Sequence, residues 1–210
     1  MSKRVYISAD YDLNNGDRDV VDELNKWGND SLHKVDFIDM SEVKSGSVAL
    51  TADCRICDLK SEFNHQINAS SAVIFVIGDM TKYRTAGSEC ERTSKEQKYC
   101  FCTPYKQNAN GAKACKVSKT STPTEDQDVG NINTYSYLRH EFEQAKKKKR
   151  TIIIVYNSTR KENNWLPDYM NGYENIARPF WTTNANGKRV GDYTFIKEVL
   201  GFWKNLFVTV

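Results

Sequence analysis

The sequence predicts an α/β fold built on a parallel sheet with helices on both faces. Three observations carry this. Short β runs alternate with helical patterns along the chain. The runs Ser71 to Gly78 and Thr151 to Tyr156 are filled with Val, Ile and Phe on both faces, as central strands of a parallel sheet are. The C-terminal stretch carries a wide apolar stripe, which suits a helix lying on a sheet. At 210 residues the chain is most simply one domain, spanning 1–210, with a sizeable insertion.

Taken in order, Lys3 to Ser8 is the first strand and Asp10 to Gly16 a polar loop. Asp17 to Trp27 places Val20, Val21, Leu24 and Trp27 at helical spacing, with Asp17 or Asp19 available as the cap. Lys34 to Met40 is the second strand. A helix follows with Ile56, Leu59, Phe63 and Ile67 on one face, then the central strand Ser71 to Gly78. Tyr137 to Ala145 reads as a short helix that feeds straight into the strand Thr151 to Tyr156. The last helix, at about 192–207, carries Phe195, Ile196, Val199, Leu200, Trp203, Leu206 and Phe207.

Between about 81 and 134 the pattern stops. The segment is rich in Lys, Thr, Ser, Asn and Gly, and it leaves from the C-terminal end of a strand, the edge where open parallel sheets bind ligands. A connection of that length in a compact domain is functional, separately stabilised or disordered. Four of the six cysteines lie in it: Cys90, Cys100, Cys102 and Cys115. A metal or disulfide staple would help order so polar a segment, but Cys-Phe-Cys is not the paired knuckle that zinc sites use, and no metal is expected. Cys54 and Cys57 form a C-x-x-C at a helix start, where a redox pair is the alternative to a structural one.

Composition excludes several classes. A net charge of +3, dispersed along the chain, does not argue for nucleic acid. The one dense basic run, Lys146 to Arg150, sits at a helix C-terminus, where cations complement the dipole. Val5-Tyr6-Ile7 is too short for a signal peptide, and the run Ala72 to Ile77 is too short to span a bilayer. The expectation is a cytoplasmic protein with mostly reduced cysteines and no membrane partner.

The chemistry concentrates on the helix from Tyr137. Leu138, Phe142 and Ala145 form its apolar stripe, and Glu141 stands at the stripe's edge one turn from Tyr137. A half-buried carboxyl beside an aromatic ring is a place for a catalytic group with a raised pKa; the bland alternative is a solvated helix-edge Glu. There is no P-loop, no dinucleotide fingerprint and no nucleophile elbow. Of the three histidines, His33 and His65 read as bystanders, and His140 points to a different side of its helix from Glu141.

Together these elements resemble a Toll/interleukin-receptor (TIR) domain, and more closely the bacterial TIR-like proteins of Thoeris anti-phage systems. Lys3-Arg4-Val5-Tyr6-Ile7-Ser8-Ala9-Asp10-Tyr11 is similar to the family's first strand and loop. Ser70-Ser71-Ala72-Val73-Ile74-Phe75-Val76-Ile77-Gly78 is similar to its central strand. Tyr137-Leu138-Arg139-His140-Glu141 is similar to its Trp-x-x-x-Glu helix motif, with Tyr137 in place of the Trp. The resemblance runs from Lys3 to about Tyr156, and the insertion is longer than the family's usual connection.

What the resemblance implies is a flavodoxin-like sheet order and cleavage of the bond between nicotinamide and ribose in NAD. Glu141 would be catalytic and Tyr137 an aromatic wall. Ser8, Asp10 and Tyr11 would line the opposite side, and Asp79 and Met80 would touch the nucleotide. NAD is then substrate, and no further cofactor is implied. Self-association through TIR surfaces, a phage trigger and a downstream effector sensing a cyclic ADP-ribose-type product complete the expectation. Two alternatives stand beside it: a non-catalytic TIR-like interaction scaffold, and an enzyme similar to nucleoside deoxyribosyltransferases.

Overall fold

The computed structural model describes residues 3–10, 16–29, 35–39, 63–84, 106–107, 113–114 and 136–202. Its centre is a five-stranded sheet formed by β1 (Lys3–Ser8), β2 (Val35–Asp39), β3 (Ala72–Ile77), β6 (Thr151–Tyr156) and β7 (Arg178–Pro179) in the order β2-β1-β3-β6-β7. Every pairing in it is parallel. β4 (Lys106–Gln107) and β5 (Lys113–Ala114) form a two-residue antiparallel pair of their own, and β8 (Trp181–Thr183) and β9 (Arg189–Gly191) form a hairpin. The helices are α1 (Arg18–Gly28), α2 (63–69), α3 (Tyr137–Lys147) and α4 (Tyr193–Val199). Among the described residues no helix is long and apolar enough to cross a membrane.

Both faces of the sheet are covered. All six residues of β3 are buried, so its continuous Val/Ile/Phe run matches its central place. One face packs Val5, Ile7, Ile74, Val76 and Val155 against Val20, Val21 and Leu24 of α1 and Ile196 and Leu200 at α4. The other packs Tyr6, Val73, Phe75, Ile77 and Tyr156 against Phe63 and Ile67 of α2 and Leu138, Phe142 and Ala145 of α3. The strand alternation sorts odd and even residues of β1 to opposite layers, as a period of two requires.

Local signals set the helix ends. Ser136 caps α3, its Oγ accepting the Arg139 N–H at 3.1 Å. α3 stops in a paired bond pattern: Arg150 N–H reaches Ala145 O at 2.9 Å and Lys149 N–H reaches Lys146 O at 3.0 Å, with Lys149 at φ 52. That left-handed residue turns the chain directly into β6. Asp17 stands at the cap position of α1 as the pattern predicted, but its side chain makes no cap bond; the carboxyl is used elsewhere. Ile56, Leu59, Trp203, Leu206, Phe207, most of the insertion and all six cysteines lie outside the described residues.

The stretch from Asn157 to Asp192 shows no periodic pattern in the sequence. It holds β7, the β8–β9 hairpin and two 3-10 turns, Asn163–Trp165 and Asp168–Met170. Its elements are two or three residues long, too short to generate a periodic signal.

Candidate active site

β1, β3 and β6 run in one direction, so their C-terminal ends share one edge. Ser8 ends β1, Gly78 follows β3 and Asn157 follows β6. α3 lies across this sheet face and turns Glu141 toward β1. The Glu141 carboxyl takes two hydroxyl donors from that strand: Tyr6 Oη–H to Oε1 at 2.6 Å, and Ser8 Oγ–H to Oε2. Tyr6 and Ser8 sit two apart and therefore on one face of the strand, which is why a single carboxyl bridges both.

Glu141 is only 4% exposed, not half-buried. The reason lies in the other polar residues of α3. His140 Nε2 meets Asn64 Oδ1 at 3.0 Å, and Gln144 Nε2–H donates to Asn68 Oδ1 at 2.8 Å. These pairs repeat at a spacing of four on both α2 and α3, so they bind the helices side by side and bury a polar flank beside the apolar stripe. Burial pushes the Glu141 carboxyl up to about 7, against the Ser8 and Tyr6 hydroxyls, which favour the charged form. At neutral pH the group is poised between its two states.

A second buried carboxyl lies on the opposite face of the same edge. Asp17 is 4% exposed, its backbone N–H donates to Asp10 O at 2.7 Å and its Oδ1 accepts Asn157 Nδ2–H at 3.0 Å. A Cβ on Gly78 would collide with this carboxyl, so glycine there lets α1 approach β3. Burial raises Asp17 to about 7; the Asn157 amide opposes the rise, and the charges of Asp10, Asp19 and Asp79 add to it. Asn157 Oδ1 in turn accepts the Trp181 indole N–H at 2.7 Å and an Arg189 N–H at 3.1 Å.

The residues expected at the site divide between these two places. Ser8 touches Glu141 directly. Tyr137 is one turn away, half-buried and edge-on to Phe63 with ring centroids 5.5 Å apart. Asp10 and Asp79 belong instead to the surroundings of Asp17, Asp10 being ion-paired with Arg84 and Asp79 exposed. Met80 is half-buried at the turn after β3, and Tyr11 lies outside the described residues. The sequence reading missed Tyr6, Asp17 and Asn157 as site residues. Tyr6 carried a usable signal, a phenol inside an otherwise aliphatic strand two residues before Ser8. Asn157 lies where no periodicity marked an element.

Among the described residues no group of three or more His, Cys, Asp or Glu side chains is placed to hold a metal ion. Comparison with protein-family models, with curated proteins and with solved structures finds no match. The chemistry of the site therefore rests on its own geometry: a near-neutral carboxyl, oriented by two hydroxyls, at the ligand-binding edge of a parallel sheet.

Proposed function

We propose that this chain is a TIR-like, NAD-cleaving enzyme that breaks the bond between nicotinamide and ribose, with Glu141 as the catalytic carboxylate. The observation that carries this reading is the buried Glu141 carboxyl held by Tyr6 and Ser8 at the C-terminal end of β1. Leaving the two-residue β4–β5 pair aside, the order β2-β1-β3-β6-β7 supports the flavodoxin-like arrangement that the resemblance implies.

Nicotinamide departs from NAD as a neutral base, because its ring nitrogen carries the positive charge beforehand. Departure needs no strong acid. It needs a negative charge near the ribosyl carbon that becomes cation-like, in a site shielded from water. Ionised Glu141 supplies that charge, and its hydroxyl donors hold the plane of the carboxylate in one orientation. Capture of the ribosyl cation by water gives ADP-ribose; capture by a group of the same molecule gives a cyclic product, the kind of signal that a downstream anti-phage effector would read.

The test incubates the purified full chain with NAD and measures free nicotinamide, with Glu141→Gln in parallel. Nicotinamide release by the wild type and its loss in the variant support the reading. A parallel arm supplies a nucleoside and a second base; exchange there, without NAD cleavage, moves the assignment to a deoxyribosyltransferase-like enzyme. The near-complete burial of Glu141, with both oxygens already bonded, supports the scaffold alternative. Absence of turnover in every assembly state would select it.

A further inference from the structure

Glu141 is almost fully buried, and both its oxygens are engaged, Oε1 by the Tyr6 hydroxyl at 2.6 Å and Oε2 by the Ser8 hydroxyl. Buried this far, a carboxylate reaches a substrate only if one of these covers gives way.

The two donors are built differently. The Tyr6 ring is fully buried in the layer that holds Phe63, Ile67, Val73 and Phe75. Its oxygen lies on the ring axis, so turning the ring does not move it. Leaving Oε1 would mean driving the whole ring through a close-packed layer. Ser8 is the last residue of β1, about 6.6 Å nearer the C-terminal edge than Tyr6 along the strand. The helix that follows it, α1, packs on the opposite face of the sheet. One rotation about χ1 carries the Ser8 oxygen from one staggered position to another. A sugar hydroxyl is the same kind of donor as a serine hydroxyl. Placing one on Oε2 in place of Ser8 leaves the carboxylate with as many hydrogen bonds as before.

We propose that the Ser8 hydroxyl is an exchangeable cover: substrate displaces it from Oε2 and donates a sugar hydroxyl there, while Tyr6 stays on Oε1 and holds the carboxylate in place. The inference rests on the N-ribosidic reading above. The competing role keeps Ser8 on Glu141 throughout, as a second fixed donor.

Two measurements on the full chain decide. The acid limb of kcat/KM against pH reports the free enzyme, and that of kcat the enzyme–substrate complex. In NAD cleavage, Ser8→Ala should move the kcat/KM limb up by about one unit, since a donor to the charged form is lost, and leave the kcat limb in its wild-type position. Tyr6→Phe should move both limbs. Ser8→Thr restores the hydroxyl and should return the kcat/KM limb to its wild-type position. Asp17 on the other face, and Tyr169, whose phenol is pushed up to about 12, are present in every variant, so the comparison cancels them. In substrate-free protein with glutamate 13C-labelled at Cδ, the resonance missing from Glu141→Gln identifies the carboxyl, and Ser8→Ala and Tyr6→Phe should each raise its titration. Ser8→Ala that moves both limbs or neither, that leaves the carboxyl titration in place, or that abolishes cleavage at every pH overturns the exchange and leaves NAD cleavage standing. So does Tyr6→Phe with an unmoved kcat limb. A wild type that releases no base from NAD or from nucleosides overturns the parent reading and the exchange with it.

Discussion

Glu141 and Asp17 are the same kind of group in two surroundings. Both are buried carboxyls at the C-terminal edge of the sheet, one on each face, and both are raised to about 7. Their partners differ. Glu141 is held by two neutral hydroxyls, Tyr6 and Ser8, and burial alone raises it. Asp17 is held by the Asn157 amide and stands in the field of Asp10, Asp19 and Asp79. Asn157 passes the connection on to Trp181 and Arg189 of the β8–β9 hairpin. A carboxyl whose partners are small hydroxyls can exchange one of them for a substrate hydroxyl. A carboxyl tied to strand ends, a helix start and a hairpin is a structural knot. The similarity in pKa therefore does not make the two equivalent: partner chemistry, more than the shift, points to Glu141 as the working group.

The largest effect that tests this contrast is on catalysis. Glu141→Gln keeps the shape and its hydrogen bonds, since Ser8 can turn its hydroxyl to accept, but it removes the charge. Nicotinamide release should fall on the order of a hundredfold or more. Asp17→Asn keeps an oxygen for the Asn157 N–H and should stay within about threefold of wild-type turnover. Equal losses in both variants would show that the two carboxyls form one site and would break the comparison.

The next effect is on stability, where the two should behave alike. Each folded-state pKa lies above its unfolded value, so between roughly pH 4 and 7 the native state binds more protons than the unfolded chain. Stability contributed by each protonated group is present at low pH, falls as pH rises toward about 7, and is constant above it. Removing either carboxyl should therefore stabilise the protein at pH 8, by up to about 3 kcal/mol for Glu141→Gln and about 4 kcal/mol for Asp17→Asn, and give no gain at pH 4. Chemical denaturation of Glu141→Gln and Asp17→Asn at the two pH values measures it. A variant less stable than wild type at pH 8 would show that the ionised carboxylate is a net stabiliser.

The fold was legible where elements are long and periodic. β1, β3 and β6 and the helices α1 and α3 appear within a residue or two of their sequence-derived bounds. Glu141 was legible as a position, through its place beside the Leu138/Phe142/Ala145 stripe. Its burial was not. An apolar stripe reports only the apolar part of a buried surface, and α3 also buries His140, Glu141 and Gln144, which pair with Asn64, Tyr6, Ser8 and Asn68 far away in sequence. Long-range polar matching leaves no local period. For the same reason Asp17 looked like a simple helix cap, although its true partner Asn157 lies beyond β6.

A smaller effect sharpens the contrast in causes. Tyr6→Phe removes a donor that favours ionised Glu141, so the carboxyl should titrate higher. In the proposed mechanism the charged form is the active one, so activity should climb as pH rises through about 7 in the wild type, and about a unit higher in Tyr6→Phe. The acid limb of kcat/KM against pH reads this directly. Added salt should lower the Asp17 titration, whose neighbours are charges, and leave that of Glu141 nearly in place. An acid limb that moves strongly with salt would assign it to Asp17.

The smallest expected effect concerns Tyr137. Its ring meets Phe63 edge-on at 5.5 Å and packs at the margin of the apolar layer, half-buried, one turn before Glu141. In the proposed site this ring would act as a wall. Tyr137→Trp keeps an aromatic face and should change turnover by less than about threefold. Tyr137→Ala removes both the wall and the contact with Phe63, and an aromatic pair is worth about 0.5–1.5 kcal/mol beyond its buried area. It should therefore lower the melting temperature by several degrees and weaken NAD cleavage well short of the loss in Glu141→Gln. Parallel kinetics and melting curves of the two variants separate these roles. If Tyr137→Trp lost activity as completely as Glu141→Gln while melting like the wild type, the phenol hydroxyl, not the ring, would be the functional part of this residue.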